Sequence, residues 1–348
     1  MNHLAVTCLC SAGGDMDDLE RYQFDLNGFL HVKGILDPRE VTKALSAMET
    51  LEQRFVAAIN AHPKYHSLQF RMDYHYDAEL GTSAYEANHG GGGPQYVVDD
   101  FLNADPAFDL FVGHPRTMEY IRELTEAPFR IVSSELRYRH RGNITGTHMG
   151  GPIDRRNRYT FVTDPSPNRG GNARRHFDLL AVRVLYALHD VPVENGPLCV
   201  VPGSHKANFQ SPYGGDPVQE PGMVPLPMEA GDALFFTENL RHGGFPNLVD
   251  RVRKTVHLCF APAWVGSQSP AHWNGDVFVT QSAWTRYSDE QRALLPPPMS
   301  PSERHPEQLS LKRLTAEMAE LTRENQKLKE ALARNTRPTS MLQRLLGR

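Results

Sequence analysis

Apolar residues recur at helical spacing in three stretches of the chain, and they run almost unbroken through several shorter ones. Val41, Leu45, Met48, Leu51 and Phe55 fall three or four apart, which predicts an amphipathic helix of about four turns. Asp37 is its N-cap, and Pro38 occupies the first helical position, where the missing N–H costs nothing. A second helix is predicted over Pro115 to Leu124. Strands are predicted at Phe29–Lys33, Ile131–Arg139, Leu179–Leu188 (an apolar run broken by Arg183), Leu198–Val201, Ala233–Phe236 and Thr255–Phe260. Residues 60–100, rich in His, Tyr and Gly and ending in Gly90–Pro94, read as a long irregular loop. Short strands separated by Gly, Pro and Asn clusters, without alternating helices, favour an all-β sandwich or barrel over a Rossmann sheet.

Beyond Pro296 the pattern changes. Pro296-Pro297-Pro298 and Pro301 mark a linker, and a heptad follows. Leu311, Met318, Asn325 and Leu332 share one core position, and Leu314, Leu321 and Leu328 share the other. A period of seven over three heptads predicts a short coiled coil. The expected organisation is a flexible tail at 1–18, one large domain at 19–290, a linker at 291–308, a coiled coil at 309–334 and a tail at 335–348.

Composition narrows the function classes. With 37 basic and 41 acidic side chains the net charge is -4, so bulk electrostatic binding of nucleic acid is not expected. No apolar run approaches the roughly 20 residues needed to span a bilayer, and residues 1–18 do not resemble a secretory signal. The four cysteines, Cys8, Cys10, Cys199 and Cys259, are too few for a disulfide framework, which suits a reducing cytoplasm. No glycine-rich dinucleotide motif, phosphate loop or G-x-S-x-G elbow is present.

Candidate chemistry centres on His176-Phe177-Asp178. In a strand, residues i and i+2 share a face, so an imidazole and a carboxylate at this spacing can reach one metal ion. A third ligand from a distant strand would complete a two-histidine-one-carboxylate face, which leaves positions open for a co-substrate and oxygen. The triplet alone decides little, because His75-Tyr76-Asp77 has the same form. Elsewhere His189 and His257 lie in apolar runs as core histidines, His205 and Asp232 shape turns, and Cys199 and Cys259 behave as small buried hydrophobes.

Context selects between the two triplets. His176 and Asp178 lead into the buried strand, then Glu194-Asn195-Gly196-Pro197-Leu198, then Val201-Pro202-Gly203-Ser204-His205-Lys206. Gly231-Asp232-Ala233-Leu234-Phe235-Phe236 follows, with His242 six residues on and Arg253 eleven further. This ordered series resembles the phytanoyl-CoA dioxygenase family of Fe(II)- and 2-oxoglutarate-dependent oxygenases. The segments Phe29–Leu36 and Pro106–Pro115 resemble that family too, so the likeness runs from about Leu19 to Phe260.

The resemblance implies a double-stranded β-helix, or jelly-roll, core with N-terminal helices packed on it. It implies His176, Asp178 and His242 as iron ligands, and Arg253 as the grip on the distal carboxylate of 2-oxoglutarate. Thr255, two residues on along the strand, would add a hydroxyl, and Arg251 is the alternative to Arg253. The implied reaction consumes O2 and 2-oxoglutarate, releases succinate and CO2, and hydroxylates a small organic substrate. Retention of Asp178 points to hydroxylation, since related halogenases replace that carboxylate to make room for chloride.

Two departures stand out. The residue contacting the co-substrate from the preceding strand cannot be aligned, leaving Arg137, Tyr138 and Arg139 as candidates; and Gly244 occupies a position where several relatives carry a hydroxyl. The segment Gly142–Arg175 holds Arg155, Arg156, Arg158, Arg169, Arg174 and Arg175, which fit either an anionic substrate or solvated loop charges. Two rival readings are a non-catalytic jelly-roll assembly module and a different cupin-type metal enzyme. The heptads imply a homodimer, with no nucleic-acid or membrane partner.

Overall fold

A computed structural model gives the architecture. It describes residues 16–61, 65–67, 72–87, 92–125, 128–149, 161–163, 176–207, 209, 211–265, 277–300 and 311–335. The tail cysteines Cys8 and Cys10 and the arginines between 155 and 175 lie outside these residues.

Helices α1 (Asp18–Asn27), α2 (Pro38–Ala61), α3 (Pro115–Leu124), α4 (Gln281–Arg286), α5 (Asp289–Arg292) and α6 (Leu311–Asn335) surround or follow the sheets. The main sheet is antiparallel and nine strands wide. Its order is β1 (Phe29–Val32), β13 (Ala233–Thr237), β10 (Val182–Ala187), β15 (Arg253–Pro262), β6 (Phe129–Arg139), β5 (Gln95–Asp99), β4 (Thr82–Glu86), β3 (Met72–Asp77) and β2 (Tyr65–Ser67). A second sheet runs β12 (Val224–Pro225), β11 (Leu198–Val200), β14 (His242–Gly244) and β7 (Thr145–His148). β8 (Phe161–Thr163) pairs with β9 (His176–Asp178).

Strand alternation divides the main sheet into two faces. Val182, Val184 and Tyr186 of β10, with Val256, Leu258 and Phe260 of β15, point outward and join the large core under α1, α2 and α3. Leu185 and Ala187 point inward and pack with Leu198 and Val200 of the second sheet and Phe236 of β13. The two sheets thus close as a sandwich with a shared interior, as expected of a jelly roll. Asp37 caps α2 as its sequence implied, accepting from the backbone N–H of Arg39 and Glu40 at 2.7 and 2.9 Å.

The expectation of a long loop over residues 60–100 is corrected. The described part of this segment contributes β2 to β5, which extend the main sheet from β6. The tyrosines that looked irregular are the reason: Tyr74 and Tyr76 alternate with polar neighbours, and with Tyr85 they are buried with Val97 and Phe278. The triplet His75-Tyr76-Asp77 lies on β3, where Asp77 accepts from Arg54 of α2 at 2.5 and 2.9 Å. That carboxylate fastens the helix to the sheet.

Tyr138 on the outward face of β6 makes a comparable attachment, its hydroxyl donating to the Met48 carbonyl of α2 at 2.9 Å. Tyr138→Phe removes one buried hydrogen bond while keeping the ring. Stability should fall by about 1 kcal/mol, read as a lower denaturant midpoint at unchanged slope.

Candidate active site

The polar end of the sandwich interior is built from the inward faces of β15, β6 and β14. In register, Arg253 lies opposite Arg139, Thr255 opposite Arg137 and His257 opposite Glu135. Partners in register point to one face, so these six side chains share the interior with Leu185 and Ala187. Across the sandwich, His242 and Gly244 of β14 pair with Val200 and Leu198 and face the same space.

His242 is buried, and its Nδ1 lies 2.8 Å from the Leu240 carbonyl, an acceptor only. Nδ1 must therefore carry the proton, and Nε2 keeps its lone pair. Burial pushes its pKa down to about 3, with the neighbouring His148 adding to the shift. The imidazole is neutral at physiological pH, the form that binds a metal. His148 of β7 packs its ring 4.3 Å from that of His242, with its own Nδ1 2.8 Å from the Gly146 carbonyl.

Arg253 is 3% exposed and donates from Nη1 to the Gly196 carbonyl at 2.7 Å, while its Nε has no partner. Burial and the nearby Arg139 and Arg137 lower its pKa well below the usual guanidinium value. No carboxylate among the described residues pairs with it. Burying a cation in this state is costly unless a counter-charge meets it. Arg251, the alternative, is exposed. The Thr255 hydroxyl is 3.0 Å from Nε2 of His257, with both groups buried.

Three residues had been candidates for the co-substrate contact from the strand before His176. Tyr138 is excluded by its outward face. Arg139 is excluded by its bonds: it donates to the Asn143 side chain and carbonyl, to Gly196 and to Phe245, all at 2.7 to 2.9 Å. It is a clamp between the sheets. Gly244 is explained by the same clamp, since a Cβ there would sit 2.4 Å from Nη1 of Arg139. Arg137 remains, opposite Thr255 and partly exposed to the interior space.

The sequence reading missed a buried ionic chain along the same face. Arg183 of β10 pairs with Glu238 and reaches the Ser133 hydroxyl at 3.2 Å and Glu135 at 3.5 Å. Arg137 pairs with Glu135 at 2.6 Å. Two acids and two bases neutralise one another, and Arg183 holds the fully buried Glu238 below the usual carboxylate range. The charged interruption at Arg183 in an apolar run was the available signal.

His176 and Asp178 occupy alternate positions of β9, with Phe177 between them packed on Phe24 at a ring separation of 5.2 Å. Their side chains lie outside the described residues. Among the described residues no three His, Cys, Asp or Glu side chains converge as a metal centre. Of the expected triad, only the His242 side chain is among them. No described helix is long and apolar enough to cross a membrane. Cys199 and Cys259 are buried free thiols, each pushed up to about 12 by burial.

The sandwich interior thus brings together a neutral histidine and a buried guanidinium that has no counter-charge among the described residues. Residues 143–255 match the family model of phytanoyl-CoA dioxygenase (PhyH). The resemblance read from the sequence is borne out over that segment, which is similar to 2-oxoglutarate-dependent oxygenases of that type. Iron and 2-oxoglutarate are the cofactor and co-substrate of the class.

Among solved structures the chain is similar to HygX from Streptomyces hygroscopicus with nickel and 2-oxoglutarate bound. Identity is 20%, with 72% of this chain and 89% of that one covered at a TM-score of 0.52. HygX with nickel, 2-oxoglutarate and hygromycin B bound gives 21% identity, 71% and 88% coverage and a TM-score of 0.50. Both likenesses concern the fold. None of the curated proteins compared with the chain matches it.

Gly244→Ala tests the clamp. The new methyl must displace a guanidinium held by four short hydrogen bonds, and overpacking of this kind costs about 1–3 kcal/mol. The variant should unfold at lower denaturant than wild type, and Gly243→Ala is no control because its Cβ would also lie 2.9 Å from the Thr145 carbonyl.

Proposed function

We propose that the chain oxidises a small organic substrate, most simply by hydroxylation, using Fe(II), O2 and 2-oxoglutarate and releasing succinate and CO2. The observation that carries this reading is the buried Arg253 guanidinium, which has no counter-charge among the described residues and faces the same interior as the neutral His242. His176, Asp178 and His242 would hold the iron, and its bound state supplies oxygen activation coupled to decarboxylation of the keto acid.

The chain's own residues set the rest. Arg253 offers a bidentate fork to the distal carboxylate of 2-oxoglutarate, and that carboxylate would in turn favour its charged form. Thr255, one register step along β15, can donate a hydroxyl to the same carboxylate by releasing His257. Arg137 flanks that pair and orients the co-substrate from β6. The neutral Glu238–Arg183–Glu135–Arg137 chain satisfies four of the interior charges and carbonyls engage Arg139, so that among the described residues Arg253 is the cation left to meet an incoming dianion. The Leu240 carbonyl holds the His242 ring in the tautomer that presents Nε2.

Two measurements separate this reading from an assembly module or another cupin-type metal enzyme. Anaerobic Fe(II) with 2-oxoglutarate should give a weak visible charge-transfer band, and succinate release across a metabolite panel should then identify the substrate. His176→Ala or His242→Ala should lose most of the bound iron, whereas His75→Ala should keep wild-type iron content. The opposite pattern would move the site to β3.

Arg253→Ala should leave iron in place and raise the 2-oxoglutarate requirement about a hundredfold, as expected when one partner of a buried charge pair is removed. An unchanged 2-oxoglutarate dependence would remove Arg253 from the site.

A further inference from the structure

Helix α6 covers 25 residues, and every described side chain on it, from Met318 to Leu332, is exposed. Met318, Leu321, Leu328 and Leu332 are 64 to 70% exposed. An amphipathic helix folded back on its own domain would bury this stripe, and α6 does not. Within the helix the described side-chain bonds are local, such as Gln326 to Glu330 at 3.0 Å. In proteins most helical stability comes from packing an apolar face rather than from propensity.

We infer that the occupant of this face is α6 of a second copy of the chain, aligned parallel and in register. Met318, Asn325 and Leu332 take the a positions, and Leu321 and Leu328 the d positions, of one seam. Parallel alignment sets Asn325 against its own copy, where each amide can donate to and accept from the other. The flanking charges agree with that alignment. Glu324 at g and Lys329 at the following e lie five residues apart, the spacing that bridges two parallel helices, and symmetry makes the pair twice.

The antiparallel alternative with full overlap fails on both counts. Asn325 would face Leu321 with its amide unpaired, and the two Glu324 carboxylates would be brought together at g. A polar residue at one a position also favours two strands over three or four, so the assembly is a dimer. This inference does not depend on the chemistry proposed for the interior.

Sedimentation equilibrium of the full-length protein tests it. Twice the chain mass of 39.1 kDa is expected at high micromolar concentration, and Leu321→Glu with Leu328→Glu should return the mass to one chain. A wild-type monomer, a higher oligomer, or a dimer that survives the double substitution overturns the proposal. Orientation is read separately by Leu332→Cys in a Cys8→Ser, Cys10→Ser background under a glutathione redox buffer. Parallel helices bring the two thiols together and give a covalent dimer. Antiparallel helices hold them about 27 Å apart, at 1.5 Å per residue, and absence of the crosslink in a dimeric sample rejects the register.

Discussion

Two guanidinium groups share one carbonyl at the centre of this molecule. Arg139 and Arg253 both donate to Gly196, at 2.9 and 2.7 Å, from adjacent strands of the main sheet. Gly196 stands in the turn before β11, so the shared oxygen ties the second sheet to the first. Arg139 completes the tie through Asn143 and Phe245, at either end of the segments that enter β7 and leave β14. The spacing of the two sheets, and with it the place of His242, follows from these bonds. A positive φ of 69° at Gly196 makes the turn possible, and a Cβ there would meet the Phe245 carbonyl at 2.5 Å.

The division of labour among the interior arginines follows from how each is compensated. Arg139 has carbonyls and an amide on all three of its nitrogens. Arg183 has Glu238 and Glu135, and Arg137 shares Glu135. Arg253 has one carbonyl and nothing of opposite charge among the described residues. Burying a cation without a counter-charge is costly, and the free-energy gain of meeting an anion there is correspondingly large.

Much of this was readable from residue order. The helix after Asp37-Pro38 and the strands of the second half rest on local patterns that the fold preserves. The strands of residues 65–99 were not readable, because tyrosine-rich alternation interrupted by glycines resembles a loop until β6 supplies a partner. The distinction between Arg137 and Arg139 was also out of reach. Both point inward, and only the positions of Asn143 and Gly196, distant in pattern though close in space, show that Arg139 is already engaged. The same holds for Glu135 and Glu238, whose burial is tolerable because Arg183 comes from a strand between them in space.

The extension of the main sheet by β2 to β5 has a consequence for solubility. Without it β6, eleven residues long, would be the outermost strand, presenting a long row of unpaired amides and carbonyls to other chains. With it, the sheet ends at β2, three residues long, and at β1, four residues long. Strands so short make poor templates for a neighbouring molecule. The strand that carries Arg137 and Arg139 is thereby shielded from edge-to-edge aggregation as well as held in place.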